Sequence, residues 1–212
     1  MSQTTSSARP GRPRRGPGSR ADVDHPTRLQ LLESAASLLD TREIDEVSVA
    51  DFTRGAGVAK GTFYVHFADR DEFVLALHQW FHDELFGAIE AQTAALPPGS
   101  HRLHTRLHAF LNGCRHRSGV RSMLWSTSRR PTIQGEVERR NTEASTVVAD
   151  DLRAMGITDF ADERARLLVA AATEVAAMEL KAGIELPRMR HALELLSNGP
   201  STESTKQKGI QE

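Results

Sequence analysis

Helical periodicity runs through most of the chain. Apolar residues recur three and four positions apart from about Thr27 to Ser197, which is the spacing of one face of an α-helix. No stretch shows the sustained alternation that is typical of a β-strand. We therefore predict an all-α fold of about nine helices, near 27–41, 48–56, 59–66, 70–96, 103–114, 120–127, 133–155, 162–182 and 187–197.

Capping patterns and helix breakers set the predicted boundaries. A capping residue followed three positions later by an acid or amide occurs at Thr27–Gln30, Ser48–Asp51 and Asp69–Glu72. Breakers stand at Gly57, Pro97-Pro98-Gly99, Gly156 and Gly183. These signals divide the chain into a three-helix head over 25–68 and a helical body over 69–197. The flanking segments lack apolar periodicity, and we expect a disordered basic arm over 1–24 and a flexible tail over 198–212.

Composition narrows the class of protein. Apolar side chains make up 39% of the 212 residues and charged ones 26%, values ordinary for a chain with a buried core. The single cysteine, Cys114, excludes an intramolecular disulfide framework and suits a reducing compartment. No charge-poor apolar stretch reaches the roughly 20 residues of a membrane span, and the arginine-rich N-terminus is unlike a secretory signal. We therefore expect a cytoplasmic protein.

Charge is distributed unevenly along the chain. Residues 1–20 carry five arginines and no acid, whereas the remainder carries 22 basic and 28 acidic side chains. A basic arm on an acidic body indicates a polyanionic partner for the arm, with nucleic acid as the leading candidate. The alternative is a solvated tail that only improves solubility.

The most specific pattern lies in residues 48–67, which read SVADFTRGAGVAKGTFYVHF. We interpret them as two short helices joined by a tight turn at Gly57, where a left-handed backbone favours glycine. Val58, Phe63 and Phe67 are spaced to seal the second helix onto the head. The side chains that fall largely outside this seal are Lys60, Thr62, Tyr64 and His66. This is the plan of a helix-turn-helix, whose second helix places its N-terminal residues in the DNA major groove.

The second helix of this pair is intrinsically weak. Ala59 offers no side-chain cap, Lys60 opposes the helix dipole, and Gly61 costs about 1 kcal/mol relative to alanine. These features favour contact with an anion, because lysine and first-turn N–H groups bind phosphate and glycine permits close approach. The alternative is a helical corner that only packs against its own chain.

Residues from Thr27 to about Leu77 resemble the DNA-binding domain of the TetR family of bacterial transcriptional regulators. The matching residues cover about a quarter of the chain and are Ser48-Val49, Ala56-Gly57-Val58, Lys60-Gly61-Thr62-Phe63-Tyr64, His66-Phe67 and Asp69-x-x-Glu72-Phe73. The resemblance implies an all-helical protein with three DNA-binding helices and about six that form a ligand-binding and dimerising body. Two positions depart from the family pattern. Ala59 replaces the usual serine, and Thr53 replaces a small alanine, which is tolerable if its hydroxyl bonds back to the preceding turn.

The resemblance also implies roles at the DNA. It assigns phosphate contacts to Lys60, Tyr64 and His66, and a further one to Ser48 at the start of the second helix. It brings Gly61, Thr62 and Val65 near base edges and places Arg70 to reach the flanking strand. The arm adds Arg9-Pro10-Gly11-Arg12-Pro13-Arg14-Arg15, which resembles an AT-hook. Arg12, Arg14 and Arg15 would then enter an A·T-rich minor groove, or else attract phosphates without sequence preference.

The predicted body suggests a dimer and a small-molecule effector. The alanine-rich helix near 162–182 and the last helix are the pair through which the family forms a homodimer. Residues that break an apolar stripe are candidates for an effector pocket: Asn141 and Glu174, with Phe110 and Trp125 as aromatic wall. Each has the alternative of an ordinary core or interface residue.

The sequence gives weaker indications of a metal, cofactor or catalytic site. His78 and His82, and His101, His104 and His108, have spacings that place each set on one helical face, but the helix edge is ordinary for solvated histidine. We predict no metal, no cofactor and no enzymatic activity, because nucleophile-elbow, phosphate-loop and zinc-protease motifs are missing. We expect a ligand-responsive regulator, most simply a repressor, that binds a palindromic operator in double-stranded DNA. An architectural DNA-binding protein without an effector, and a helical enzyme, are the alternatives.

Overall fold

The computed structural model describes residues 24–198, and over that range it contains helices and no strands. The head holds α1 (Pro26–Leu39), α2 (Val49–Gly55) and α3 (Lys60–His66), with a 3₁₀ turn at Ile44–Glu46. The body holds α4 (Arg70–Thr93), α5 (Ser100–His116), α6 (Ser118–Thr127), α7 (Pro131–Ala154), α8 (Ala161–Ala182) and α9 (Pro187–Ser197). The all-α prediction is confirmed. The predicted arm, with Arg12, Arg14 and Arg15, and the predicted tail lie outside the described residues, apart from Asp24 and Asn198.

The helix starts follow the predicted caps at two places out of three. The Ser48 hydroxyl accepts from the Asp51 N–H at 3.2 Å, and the Asp51 carboxylate accepts from the Ser48 N–H at 2.9 Å. Asp69 likewise accepts from the Glu72 N–H at 2.8 Å. The predicted Thr27 cap is wrong. His25 caps α1 instead, its Nδ1 accepting from the Thr27 N–H at 3.2 Å, because Pro26 takes the first helical position.

An aromatic cluster forms the core of the head. Phe52, Phe63, Phe67 and Phe73 are all at most 1% exposed, and their ring centroids lie 4.7 to 5.2 Å apart. Such pairs add about 0.5–1.5 kcal/mol each beyond the area that they bury. Phe73 belongs to the first turn of α4. The long helix is therefore anchored in the head although most of its length lies in the body.

Buried ion pairs tie the helices of the body together. Asp151 of α7 is fully buried and accepts from Arg102 of α5 at 2.6 Å and from the Gly99 N–H at 3.0 Å. Glu179 of α8 accepts two hydrogen bonds of 2.7 Å from Arg190 of α9, and both side chains are at most 4% exposed. None of the helices within residues 24–198 is long and apolar enough to cross a membrane.

The head touches the body where α6 meets the end of α1. A Cβ atom on Gly119 would lie 2.2 Å from the Leu39 carbonyl oxygen and 2.6 Å from the Asp40 nitrogen. Both are backbone atoms, so a side chain at this position would force one helix away from the other. Glycine at 119 thus allows two backbones to meet directly.

Candidate nucleic-acid interface and body cavity

The turn between α2 and α3 has the geometry expected of the helix-turn-helix. Gly57 has φ of 66°, in the left-handed region that favours glycine. The Val58 N–H closes the turn on the Thr53 carbonyl at 2.9 Å. Thr53 is buried, and its hydroxyl donates to the Ala50 carbonyl at 3.2 Å. This is the hydrogen bond to the preceding turn that makes threonine tolerable where the family usually has alanine.

One face of α3 is open to solvent. Lys60, Gly61, Tyr64 and Val65 are exposed, and Thr62 is half-buried. A Cβ atom on Gly61 would meet no atom of the protein within 4 Å. Ala59 makes no capping hydrogen bond, as expected from its side chain. The glycine is therefore not required by packing within the chain, and it leaves free space on the outer side of the helix.

His66 does not belong to this open face. Its side chain is only 1% exposed, and its ring centroid lies 4.8 Å from that of His25. The position follows from helical geometry, since residue 66 lies three places after Phe63, whose side chain defines the buried face. The prediction that the His66 side chain contacts phosphate is therefore wrong.

Two other predicted DNA contacts already have partners within the chain. The Ser48 hydroxyl donates to Asp51 at 2.6 Å, and the hydrogen bonds from Ser48 hold the pKa of that carboxyl down to about 2. Arg70 donates to the Ile44 carbonyl, and its guanidinium lies 4.0 Å from the Asp45 carboxylate. A phosphate contact from Ser48 or Arg70 would have to replace these bonds, and both roles stay predictions.

Arg28 supports the C-terminal end of α3, and no local sequence pattern indicates this role. Its Nη1 donates to the His66 carbonyl at 2.8 Å, where a cation also stabilises the negative end of the helix dipole. The guanidinium lies 4.3 Å from the centroid of the Phe67 ring, and burial lowers its pKa. From its position in the first turn of α1 alone, Arg28 would be expected to lie in solvent. Only the tertiary fold brings it against α3.

A cavity of about 410 Å³, partly open to solvent, lies in the body between α4, α5, α6, α7 and α8. Three of the four predicted pocket residues line it: Phe110, Trp125 and Asn141. Glu174 does not, and that prediction is wrong. The buried face of α8 runs through Leu168, Ala172 and Val175, which leaves Glu174 on the exposed side of the helix.

Two histidines in the cavity wall carry no charge near neutral pH. Burial lowers the pKa of His78 to about 3 and that of His82 to about 4. The His78 Nε2 lies 2.8 Å from the Thr127 hydroxyl, and the His82 Nδ1 donates to the His78 carbonyl at 2.8 Å. Residues 24–198 contain no cluster of three histidine, cysteine or carboxylate side chains placed to hold a metal ion.

Two of the other histidines with metal-ligand spacing, His104 and His108, take part in helix packing. The His104 Nε2 lies 3.1 Å from the Ser197 hydroxyl, and His108 forms a short hydrogen bond with Glu194. Both contacts join α5 to α9. These two imidazoles thus connect helices of the body and do not converge on a common point.

Comparison with known proteins identifies the head. Residues 31–77 match the family model described as bacterial regulatory proteins, tetR family. An uncharacterized HTH-type transcriptional regulator of Bacillus subtilis, YwcC, is 48% identical over 47 residues, 22% of this chain and 21% of that protein. The HTH-type transcriptional repressor KstR2 of Mycobacterium tuberculosis is 41% identical over 59 residues, 28% of this chain and 30% of KstR2. The matches thus span less than a third of either relative's length.

The likeness in fold extends much further than the likeness in sequence. A transcriptional regulator from Rhodococcus superposes with a TM-score of 0.70, over 80% of this chain and 93% of the other, at 19% identity. The family is made up of transcriptional regulators and not of enzymes. The head, over residues 31–77, thus matches the TetR family of bacterial transcriptional regulators in sequence, and the arrangement of head and body resembles that of a solved transcriptional regulator in fold.

Proposed function

We propose that this protein is a repressor that binds a palindromic operator in double-stranded DNA as a homodimer and releases it when a small molecule enters the body. The observation that carries the proposal is the open face of α3. A helix with poor intrinsic stability is fixed to the head by its buried side and presents Lys60, Tyr64 and an unobstructed Gly61 to solvent. KstR2, which shares the head, is itself described as a repressor.

The proposed contacts between α3 and DNA are of two kinds, to phosphates and to base edges. Lys60 and Tyr64 bind phosphates, whereas Gly61, Thr62 and Val65 lie near base edges in the major groove. Without a contribution from His66, the phosphate contacts depend more heavily on Lys60 and Tyr64. We retain the basic arm as a second contact, with Arg12, Arg14 and Arg15 in an adjacent minor groove or along the phosphates.

Replacing Lys60 or Tyr64 by alanine tests the proposed interface. The operator is first obtained by selecting bound sequences from random DNA with the unmodified protein. We then expect Lys60→Ala to weaken binding to all sequences alike and to lower the slope of log affinity against log salt by about 1, because one phosphate contact is lost. Tyr64→Ala should weaken binding as well. Fluorescence anisotropy over a series of salt concentrations measures both effects.

Arg153→Ala provides the control, because Arg153 is an exposed cation in the last turn of α7, outside the head and not on α8 or α9. It should bind the operator like the unmodified protein. Unchanged affinity for both head variants would contradict the assignment of this face. Far-UV circular dichroism of each variant establishes that the helices are intact.

The homodimer is supported by an exposed apolar surface on the last two helices. Leu167 and Met178 of α8, and Leu195 and Leu196 of α9, are between 37% and 70% exposed. Monomeric proteins rarely leave a large continuous apolar surface in water, so a partner is expected. A two-fold axis at this surface would place the two α3 helices about one turn of DNA, or a multiple of it, apart, and so predicts a roughly palindromic operator.

Placing a charge on this surface should separate the subunits. In an isologous interface each substitution occurs twice, so Leu196→Glu introduces two carboxylates among apolar side chains. We expect sedimentation equilibrium at micromolar concentration to give a dimer for the unmodified protein and a monomer for this variant. Ala88→Glu, on an exposed part of α4, should remain dimeric. A monomer for the unmodified protein would contradict the proposal.

The route from effector to DNA runs through α4. This helix places Phe73 in the core of the head, and it lines the body cavity with His78, His82 and Phe86. A ligand that prefers one position of α4 would shift the population toward that position and so alter the spacing of the two heads. The cavity itself counts against the alternative of an architectural protein, which needs no space for an effector.

A further inference from the structure

Arg121 is a buried cation without a counter-ion. It lies on α6, lines the body cavity and is only 7% exposed. Its side chain forms no hydrogen bond or ion pair with any residue of the described range 24–198, and Nε and Nη2 are fully buried. Buried charges in folded proteins are nearly always paired, and an unpaired one points to a missing partner.

Other arginines of the cavity wall differ from Arg121 in this respect. Arg140 is held by Glu136 at 2.8 Å and by Asp83. Arg106 lies 3.5 Å from Asp151 and 3.4 Å from Glu90. Their charges are neutralised by the protein itself.

Nothing else in the wall of the cavity compensates Arg121. Its guanidinium lies 6.0 Å from the centroid of the Phe110 ring, at the outer limit of a cation–π interaction. Two glutamates also line the cavity, but Glu90 and Glu143 have side chains 61% and 47% exposed and pair with other arginines. His78 and His82 are uncharged and supply hydrogen-bonding groups only. The remaining lining is mainly aliphatic and aromatic.

We propose that the effector is an amphipathic organic anion whose carboxylate pairs with Arg121 and whose apolar part fills the rest of the cavity. The inference rests on the proposed function, since it names the chemical class of the effector invoked there. A guanidinium can bind a carboxylate through two parallel hydrogen bonds, which satisfies the buried N–H groups. A volume of about 410 Å³ lies within the usual range, roughly 300–1,000 Å³, for sites of small organic ligands.

Three probes that differ only in the head group test this proposal. Calorimetric titration of the full chain compares decanoate, decan-1-ol and decylamine, each at a concentration where it is monomeric. We expect decanoate to bind about ten- to hundredfold more tightly than decan-1-ol, because a hydrogen bond to a charged group is gained. Decylamine should bind most weakly, because it brings a second cation to Arg121.

Two substitutions make the test specific. Arg121→Met should remove the preference for decanoate over decan-1-ol while binding of decan-1-ol changes less than about threefold. Arg129→Met, which replaces an exposed arginine just beyond α6, should leave all three affinities unchanged. Arg121→Gln serves where the methionine variant does not fold.

The outcomes separate this proposal from the proposed function. Equal or tighter binding of decan-1-ol, preserved decanoate preference in the Arg121 variants, or no binding of any probe up to the highest concentration at which it is monomeric would overturn the anionic effector. Operator affinity, measured on the same preparation without a probe, tests the regulator itself. Intact operator binding with any of those three results leaves the repressor proposal standing and removes only the ligand class.

Discussion

Replacing Gly61 by alanine is expected to weaken operator binding about ten- to hundredfold without loss of stability. Alanine is favoured over glycine in a helix by up to about 1 kcal/mol, and the added methyl group meets no protein atom within 4 Å. The same methyl group would occupy the space where α3 approaches the DNA. Overpacking a close contact typically costs about 1–3 kcal/mol, which is the stated factor in affinity.

The measurement pairs operator affinity with the free energy of unfolding in urea. Gly87→Ala is the matched control, because Gly87 is also an exposed helical glycine whose Cβ would meet nothing within 4 Å. It should gain similar stability and keep full operator affinity. A Gly61→Ala protein that binds the operator normally would show that this side of α3 does not come close to DNA.

Removing the carboxylate of Glu179 is expected to cost about 3–5 kcal/mol of folding free energy. The Arg190 guanidinium would then be left buried with only Asn112 and the more distant Glu185 as partners, at 2.8 and 3.5 Å. The Leu186 N–H, which donates to Glu179 at 3.0 Å, would also lose its acceptor. Since domains are stable by only about 5–15 kcal/mol, Glu179→Ala should bring the protein close to unfolding.

Urea unfolding at pH 7 of three variants distinguishes the buried pair from ordinary surface charge. Glu185→Ala removes a half-exposed acid near the same arginine and should cost less than about 1 kcal/mol. The double change Glu179→Leu with Arg190→Met should recover much of the lost stability, because no unpaired charge remains. A loss below 1 kcal/mol for Glu179→Ala would mean that the pair contributes no more than a surface contact.

Local signals in the sequence were sufficient for the helices and for the core of the head. Ser48 and Asp69 cap their helices as their spacing predicts, and Gly57 adopts the left-handed conformation that the turn requires. These features depend on residues within a few positions of each other. The Thr27 cap is wrong because Pro26 takes the first helical position, which is also a local effect.

The errors about site residues have two different origins. His66 was misplaced although the sequence contained the answer, since its distance from Phe63 puts both on one face of α3. Glu174 was misplaced because α8 is apolar on two sides, one toward the core and one exposed, and periodicity does not distinguish them. Arg28 and Arg121 could not be recognised from the sequence, because their environments are made by residues far away in the chain.

The meeting of Gly119 with Leu39 has a mechanical consequence. A contact between side chains can absorb a small displacement by a change of rotamer, but two touching backbones have no such freedom. A movement of α6 toward α1 would therefore press directly on the backbone at the end of α1. Arg121 lies only two residues after Gly119 in α6. The cavity-lining guanidinium and the backbone contact with the head are therefore connected by less than one turn of the same helix.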